Sequence, residues 1–307
     1  MKKFKIVFGA LALAVVVATV FACTKDGVNQ GVQQNVDGNE NSFMDLNGIH
    51  VKVQHDTIFN LGRDGVGWLY FQSKNDYESL ISAYSAVSDS VLDSFENTLS
   101  FSSMRSSLTS DQREAIEIED DLLAMMLSPS GIVQVGDYVF GIDVVNDTVL
   151  VYNQVSPNAR PLVFSVDDDV FDVLEGNKDS GEKGCSAKNK ETGIDFANTK
   201  IGCKVVYQKA GIYFSLQSKI KKHNWGGDVE LHLTCLEGTS SYKRNGDSNT
   251  YLINECTLYG LDHSYHYRPY SGIKKLVNFH FSVDFNAYNL ANNTNMGWRH
   301  MQINCGN

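Results

Sequence analysis

Apolar positions in this chain change period once. Between Ser73 and Leu99 they recur at Tyr77, Leu80, Ile81, Tyr84, Val87, Val91, Leu92, Phe95 and Leu99. That spacing is the 3.6-residue repeat of an amphipathic helix, with a break near Ser88. Ser73 followed by Asp76 is a variant of the capping box. Thr109 and Gln112 repeat the start signal, and Ala115, Ile118, Leu122 and Met126 then form a stripe opposite Glu114, Glu117, Asp120 and Asp121. A second long helix is expected there, its carboxylates on a solvated face and its end set by Pro129 and Gly131. A β-meander follows, over 132–135, 138–145 and 148–152. Gly136-Asp137 is a two-residue hairpin signal within it, and Asn146-Asp147 makes the next turn. Ser165 opens a short helix through Val166, Val170, Val173 and Leu174. Asp167, Asp168 and Asp169 fall in its first turn, where the helix dipole favours anions.

Beyond residue 192 the period becomes two. Ile212, Phe214, Leu216 and Ile220 alternate with Tyr213, Ser215, Gln217, Lys219 and Lys221, and the same alternation returns over 231–235 and 279–285. These read as half-buried antiparallel strands. The fold class expected is therefore α+β. An N-terminal helical and β-meander domain spans 48–176, with strands near 49–53 and 68–71. A polar linker spans 177–195, and an all-β, antiparallel, sandwich-like domain spans 196–307.

The start of the chain carries a different pattern. Lys2, Lys3 and Lys5 precede an uncharged apolar run over 6–22, which ends in Val20-Phe21-Ala22-Cys23. A basic n-region, an apolar h-region and a small residue at the cut are the parts of a secretory signal. A cysteine directly after that residue resembles the lipobox of bacterial lipoproteins, although Phe21 departs from its usual small residue. On this reading 1–22 is a signal peptide, Cys23 carries lipid, and 23–47 is a flexible tether. The expected location is the cell envelope, anchored by lipid, at the outer membrane.

Charge supports a division into two parts. The chain holds 26 basic and 36 acidic residues, a net −10, which becomes −13 without the three lysines of the signal. Residues 24–200 carry 12 basic against 29 acidic residues, and 201–307 carry 11 against 7. The acidic part would repel phosphate, so nucleic acid is excluded as a partner. Cys185, Cys203, Cys235, Cys256 and Cys305 all lie in the last third. In an oxidising compartment they allow two bridges and one remaining thiol, with the pairing open.

Candidate chemistry is sparse. No G-x-S-x-G elbow, H-E-x-x-H or P-loop occurs, so no catalytic residue, metal ligand or cofactor is assigned. The densest stretch is 259–270. Tyr259, Asp262, His263, Tyr265, His266, Tyr267 and Arg268, joined by Trp225 and Trp298, form the candidate ligand site. Aromatic planes would stack on sugar rings while the polar groups bond hydroxyls. The partners expected are the membrane, through the lipid, and a carbohydrate or a surface protein. The leading expectation is a binding or adhesion module. A structural or assembly subunit of an envelope complex is the alternative, followed by a hydrolase.

Three stretches resemble a Bacteroidetes lipoprotein family, a domain of unknown function with no assigned activity. They are Tyr70-Phe71-Gln72-Ser73 through Leu80, Phe95-Glu96 through Ser103, and Gly131-Ile132-Val133-Gln134-Val135-Gly136-Asp137-Tyr138-Val139. They lie within residues 68–145, and from Gly211-Ile212-Tyr213 onward the chain looks like the β-rich tail of such proteins. The resemblance implies an envelope location and supplies no site residue.

Overall fold

A computed structural model describes residues 43–55, 67–177, 185, 190–193, 201–222, 228–236 and 238–306. The signal, Cys23, most of the tether and of the linker, and Trp225 lie outside them. Residues Phe43–Asn307 pack as one compact unit around two main hydrophobic cores. No helix among the described residues is long and apolar enough to cross a membrane.

The first sheet runs in chain order: β1 (Met44–Leu46), β2 (Ile49–Gln54), β3 (Trp68–Phe71), β4 (Ile132–Val135), β5 (Tyr138–Asp143), β6 (Thr148–Asn153) and β7 (Leu162–Phe164). Its neighbours are antiparallel except β3 and β4, where Tyr70 lies opposite Gln134 in a parallel pair. A parallel pair needs a crossover, and the helices supply it. These are α1 (Lys74–Tyr84), α2 (Asp89–Leu99), α3 (Met104–Ser107), α4 (Ser110–Ala115) and α5 (Asp121–Met126). Leu80, Ile81, Leu92, Phe95, Leu122 and Met125 bury their apolar faces in the first core. Gly136 takes a positive φ between β4 and β5, and Val135 pairs Tyr138 across the expected hairpin. At Gly131, φ is +78°, and a Cβ would sit 2.6 Å from the Ile142 carbonyl oxygen, so a larger residue has no room.

Both long helices of the sequence reading break. The first divides into α1 and α2, with Ser88 extended at the N-cap of α2. The second keeps its start, because Thr109 and Gln112 form both bonds of a capping box, but α4 stops at Ala115. Glu117 turns left-handed at φ +60°, and Asp120 opens α5 by accepting from the N–H groups of Leu122 and Leu123. The carboxylates expected on a solvated face divide accordingly. Glu114 is exposed, whereas Asp120 and Asp121 are 0% and 3% exposed. Likewise α6 (Val170–Leu174) starts later than expected. Asp169 is buried and bonds Asn245 and the Lys275 N–H instead of capping it.

The remaining chain forms two further antiparallel sheets. One has the order β15 (Ser264–Gly272), β10 (Phe214–Lys222), β9 (Ile201–Lys209), β8 (Lys190–Gly193). The other has the order β13 (Tyr251–Leu252), β12 (Ser241–Arg244), β16 (Leu276–Asn289), β11 (Val229–Cys235), β14 (Cys256–Gly260), with β17 (Thr294–Cys305) also paired to β16. Both sheets contribute to the second core, where Phe214, Leu216, Phe279, Phe281 and Phe285 are sealed from solvent. Each such side chain contributes about 1.5–3 kcal/mol by its burial. Disulfides join Cys185 to Cys305 and Cys235 to Cys256, while Cys203 stays a buried thiol. Two bridges suit an oxidising, extracytoplasmic compartment.

The alternation in β10 misleads on burial. Phe214, Leu216 and Ile220 enter the second core as expected, but Ser215, Gln217 and Lys219 are also buried. Ser215 donates to Asp120 and Lys219 to Asp121, carboxylates on the helical side. The two parts of the chain also share apolar packing. Ala210, Ile212, Tyr213 and Ile273 enter the first core.

Candidate functional site

The alternation of β11 is a true half-buried pattern. Val229, Leu231, Leu233 and Cys235 point inward, while Glu230, His232 and Thr234 point out. Strand register then builds a row across the outer face. Tyr259 of β14 lies opposite His232 of β11, His232 opposite Asn286 of β16, and Asn286 opposite Trp298 of β17. Four strands at a spacing of about 4.8 Å put the ends of this row about 14 Å apart. Tyr259 is 63% exposed and Trp298 59%. The His232 ring stacks on Tyr259 at 5.7 Å and meets Tyr288 edge-on at 5.2 Å. The Asn286 amide donates to the Tyr288 hydroxyl at 3.2 Å. One side of the row carries Glu230 opposite Tyr288, and the other carries Thr234 opposite Asp284. His300 lies opposite Asp284, and its Nδ1 is 2.8 Å from that carboxylate. The face is aromatic at both ends and rich in hydrogen-bonding groups between them.

The structure brings together only part of the sequence-derived set. Tyr259 and Trp298 share the row. Asp262 and His263 are exposed in the turn after β14. Tyr265 and Tyr267 are half-buried against the second core, with the Tyr267 ring 6.5 Å from Phe281. His266 and Arg268 face the other way, toward α5, and leave the outer face altogether. His232, Asn286 and Tyr288 were missed. Their outward positions in alternating strands are visible in sequence, but only the strand register places them beside Tyr259 and Trp298.

Arg268 belongs to a buried polar seam between the helices and the second sheet. Its Nε and Nη2 each donate to Asp120 at 3.0 Å, a two-pronged guanidinium–carboxylate pair, and Nη1 donates to the Ser85 carbonyl. Asp120 also accepts from the hydroxyls of Tyr213 and Ser215. Next to it, Asp121 takes Arg113 at 2.6 Å and Lys219 at 2.7 Å, and Glu119 takes Lys204 at 2.6 Å. Burial pushes the Asp121 carboxyl up, but Lys219 and Arg113 outweigh it and hold the group well below the usual range. For Asp120, burial opposes and the charge of Arg268 prevails in the same direction. His266 has its Nε2 enclosed and unpartnered among the described residues. Burial, then Arg268 and Lys219, push its imidazole down to about 3.

Two other features look site-like and are already filled by their own chemistry. Asp89, Asp121 and His266 bring donor atoms within 4.8 Å of one another. Both Asp121 oxygens, however, already take cationic side chains, and Arg268 and Lys219 oppose any added positive charge at His266. A cleft of about 400 Å³ beside α1 is lined by Tyr242, Tyr270, Arg244, Arg268 and Lys274. Its three cations are paired with Asp247, Asp120 and Asp172.

No protein-family model and no curated protein matches the chain. Among solved structures it is similar to a DUF4848 family protein from Bacteroides thetaiotaomicron. The TM-score is 0.20 and the identity 8%, with 82% of this chain and 100% of that chain covered. At that score the likeness carries no argument. The Bacteroidetes resemblance rests on the three stretches quoted above, and the functional reading rests on the outer face.

Proposed function

We propose that this protein is an extracytoplasmic binding module, held to the envelope by lipid on Cys23, that attaches carbohydrate to the outer face of its third sheet. One observation carries the reading: Tyr259, His232, Asn286 and Trp298 form a continuous row across four strands. Stacking faces at the ends and hydrogen-bonding groups between them are what a sugar chain needs. An open face also suits binding better than catalysis, since the carboxylates that converge do so in the buried seam, where Asp120, Asp121 and Glu119 are each paired with a cation. The two-part division of the chain, with a sandwich-like C-terminal half, belongs to the same proposal. Weak single sites of millimolar to micromolar affinity, about 4–8 kcal/mol, gain strength from many copies on one membrane.

The test is a glycan array probed with the labelled full chain in a non-glycosidic detergent. Binding to a defined set of glycans is expected, and Tyr259→Ala with Trp298→Ala should abolish it. Glycan capture by the double variant at wild-type level would sink the reading. A structural or assembly role is the second reading, favoured by β7. It ends the first sheet and exposes Leu162 (53%) and Val163 (67%), a strand edge on which another chain could pair.

A further inference from the structure

We infer that the ligand of this face is an uncharged oligosaccharide lying across the strands, with acidic saccharides rejected. The inference rests on the proposed function and names its substrate class. Two observations carry it, the length of the row and the charge beside it.

Tyr259 and Trp298 stand three strand spacings apart, about 14 Å. One sugar ring cannot reach both. A short chain of sugars can, stacking a ring at each end while its middle crosses His232 and Asn286. The direction follows from the register, because the row runs perpendicular to the strands. Along a single strand the neighbouring outward positions are mostly polar: Glu230 and Thr234 flank His232, and Asp284 flanks Asn286, with Tyr288 the one ring among these four. The aromatic path is the crosswise one.

Charge decides what kind of sugar fits. Glu230 lies on one side of the row and Asp284 on the other. Asp228 and Asp262 are exposed at the ends of the adjoining strands. The negative charges of Asp262 and Glu230 reach the Tyr265 hydroxyl, reinforcing the effect of burial that raises it. The nearby cationic groups are few. Arg299 follows Trp298 in the register opposite Phe285, is exposed, and donates to the Trp298 carbonyl. Lys222 donates to the Leu261 carbonyl and is 4% exposed. His232 has Glu230 at 3.6 Å, and His300 has Asp284 at 2.8 Å. An anionic saccharide would thus lose its water against carboxylates on both sides of the row, with Arg299 a cation at the Trp298 end alone. A neutral one offers hydroxyls that the carboxylates accept from and the Asn286 amide can bond in both polarities. Like-charge juxtaposition is a recognised means of excluding wrong ligands.

The experiment uses the full chain and matched glycans of one to six residues, neutral or carrying carboxylate or sulfate. Neutral chains of three or more residues should bind, with single sugars at least tenfold weaker and acidic counterparts at least tenfold weaker. Glu230→Gln with Asp284→Asn should then raise binding of the acidic chains toward that of the neutral ones. Equal binding of acidic and neutral chains, lost on Tyr259→Ala with Trp298→Ala, would overturn this inference and leave the binding face intact. So would single sugars binding as tightly as longer chains. Absence of any glycan binding by a folded wild-type chain would overturn both.

Discussion

Tyr259 and Arg268 come from one short stretch of chain and end in opposite surroundings. Tyr259 stands 63% exposed on β14, at the end of an aromatic row that nothing in the described structure covers. Arg268, on β15, has its side chain 3% exposed and both forks of its guanidinium on Asp120. The two regions use the same vocabulary of Tyr, His, Asp, Asn and cationic residues. In the seam each of Glu119, Asp120 and Asp121 is paired with cationic side chains of the same chain, so the result is cohesion. On the outer face Glu230 and Asp284 face the imidazoles of His232 and His300, and the rings of Tyr259 and Trp298 stay exposed, so the result is a surface able to hold a ligand. Residue type does not separate a structural cluster from a binding face. Satisfaction does.

The largest test of that contrast is Arg268→Met. It removes the partner of a wholly buried carboxylate, and breaking a buried pair from one side costs about 3–5 kcal/mol. Urea denaturation should show a loss of that size, with a glycan affinity that is unchanged wherever the fold persists. A loss under 1 kcal/mol would show that the Arg268–Asp120 pair does not hold the helices to the second sheet. Next is the Cys235–Cys256 bridge, which pins β11 to β14 three residues along from the His232–Tyr259 pair. Closing a loop of this length stabilises by about 3 kcal/mol. Cys235→Ala with Cys256→Ala should lower stability and weaken binding together, unlike any change in the seam.

Acid should separate the regions again. The folded chain holds the His266 proton affinity down to about 3, while the unfolded chain takes that proton near 6.5. Stability therefore falls as pH drops through that interval. Asp120 and Asp121 have folded affinities below the ordinary carboxylate value of 3.8, so their contribution is present above that pH and is lost below it. Thermal unfolding followed from pH 7 to pH 2.5 should decline in those two stages. His266→Gln should flatten the first stage and spare the second, and a wild-type curve flat from pH 6 to pH 4 would contradict the buried neutral imidazole. The smallest stability effect is expected from Tyr259→Ala with Trp298→Ala, within about 0.5 kcal/mol per exposed site.

Much of the fold was legible in the order of residues, because local rules decided it. The capping box at Thr109 and Gln112, the hairpin at Gly136-Asp137 and the alternation of β11 and β16 all appear where the pattern places them. Where it failed, a distant partner had intervened. Periodicity put Asp120 and Asp121 on the wet side of a continuous helix. The helix instead breaks at Glu117, because Asp120 caps a new turn while receiving Tyr213, Ser215 and Arg268 from far along the chain. No local pattern encodes a partner at that separation. The candidate site was half visible for the same reason. Aromatic richness pointed to Tyr259 and Trp298, but the neighbours that make a row of them depend on strand register.

The central claim, that the Tyr259–Trp298 face is where ligand binds, is tested most directly by the light of one indole. In a Trp225→Phe background two tryptophans remain, Trp68 at 2% exposure and Trp298 at 59%. Titration with a neutral oligosaccharide selected on the array should shift the emission saturably, and the same titration of Trp225→Phe with Trp298→Phe should give no shift. A saturable shift that survives loss of Trp298, or binding by calorimetry with no change in emission, would place the ligand elsewhere on the molecule.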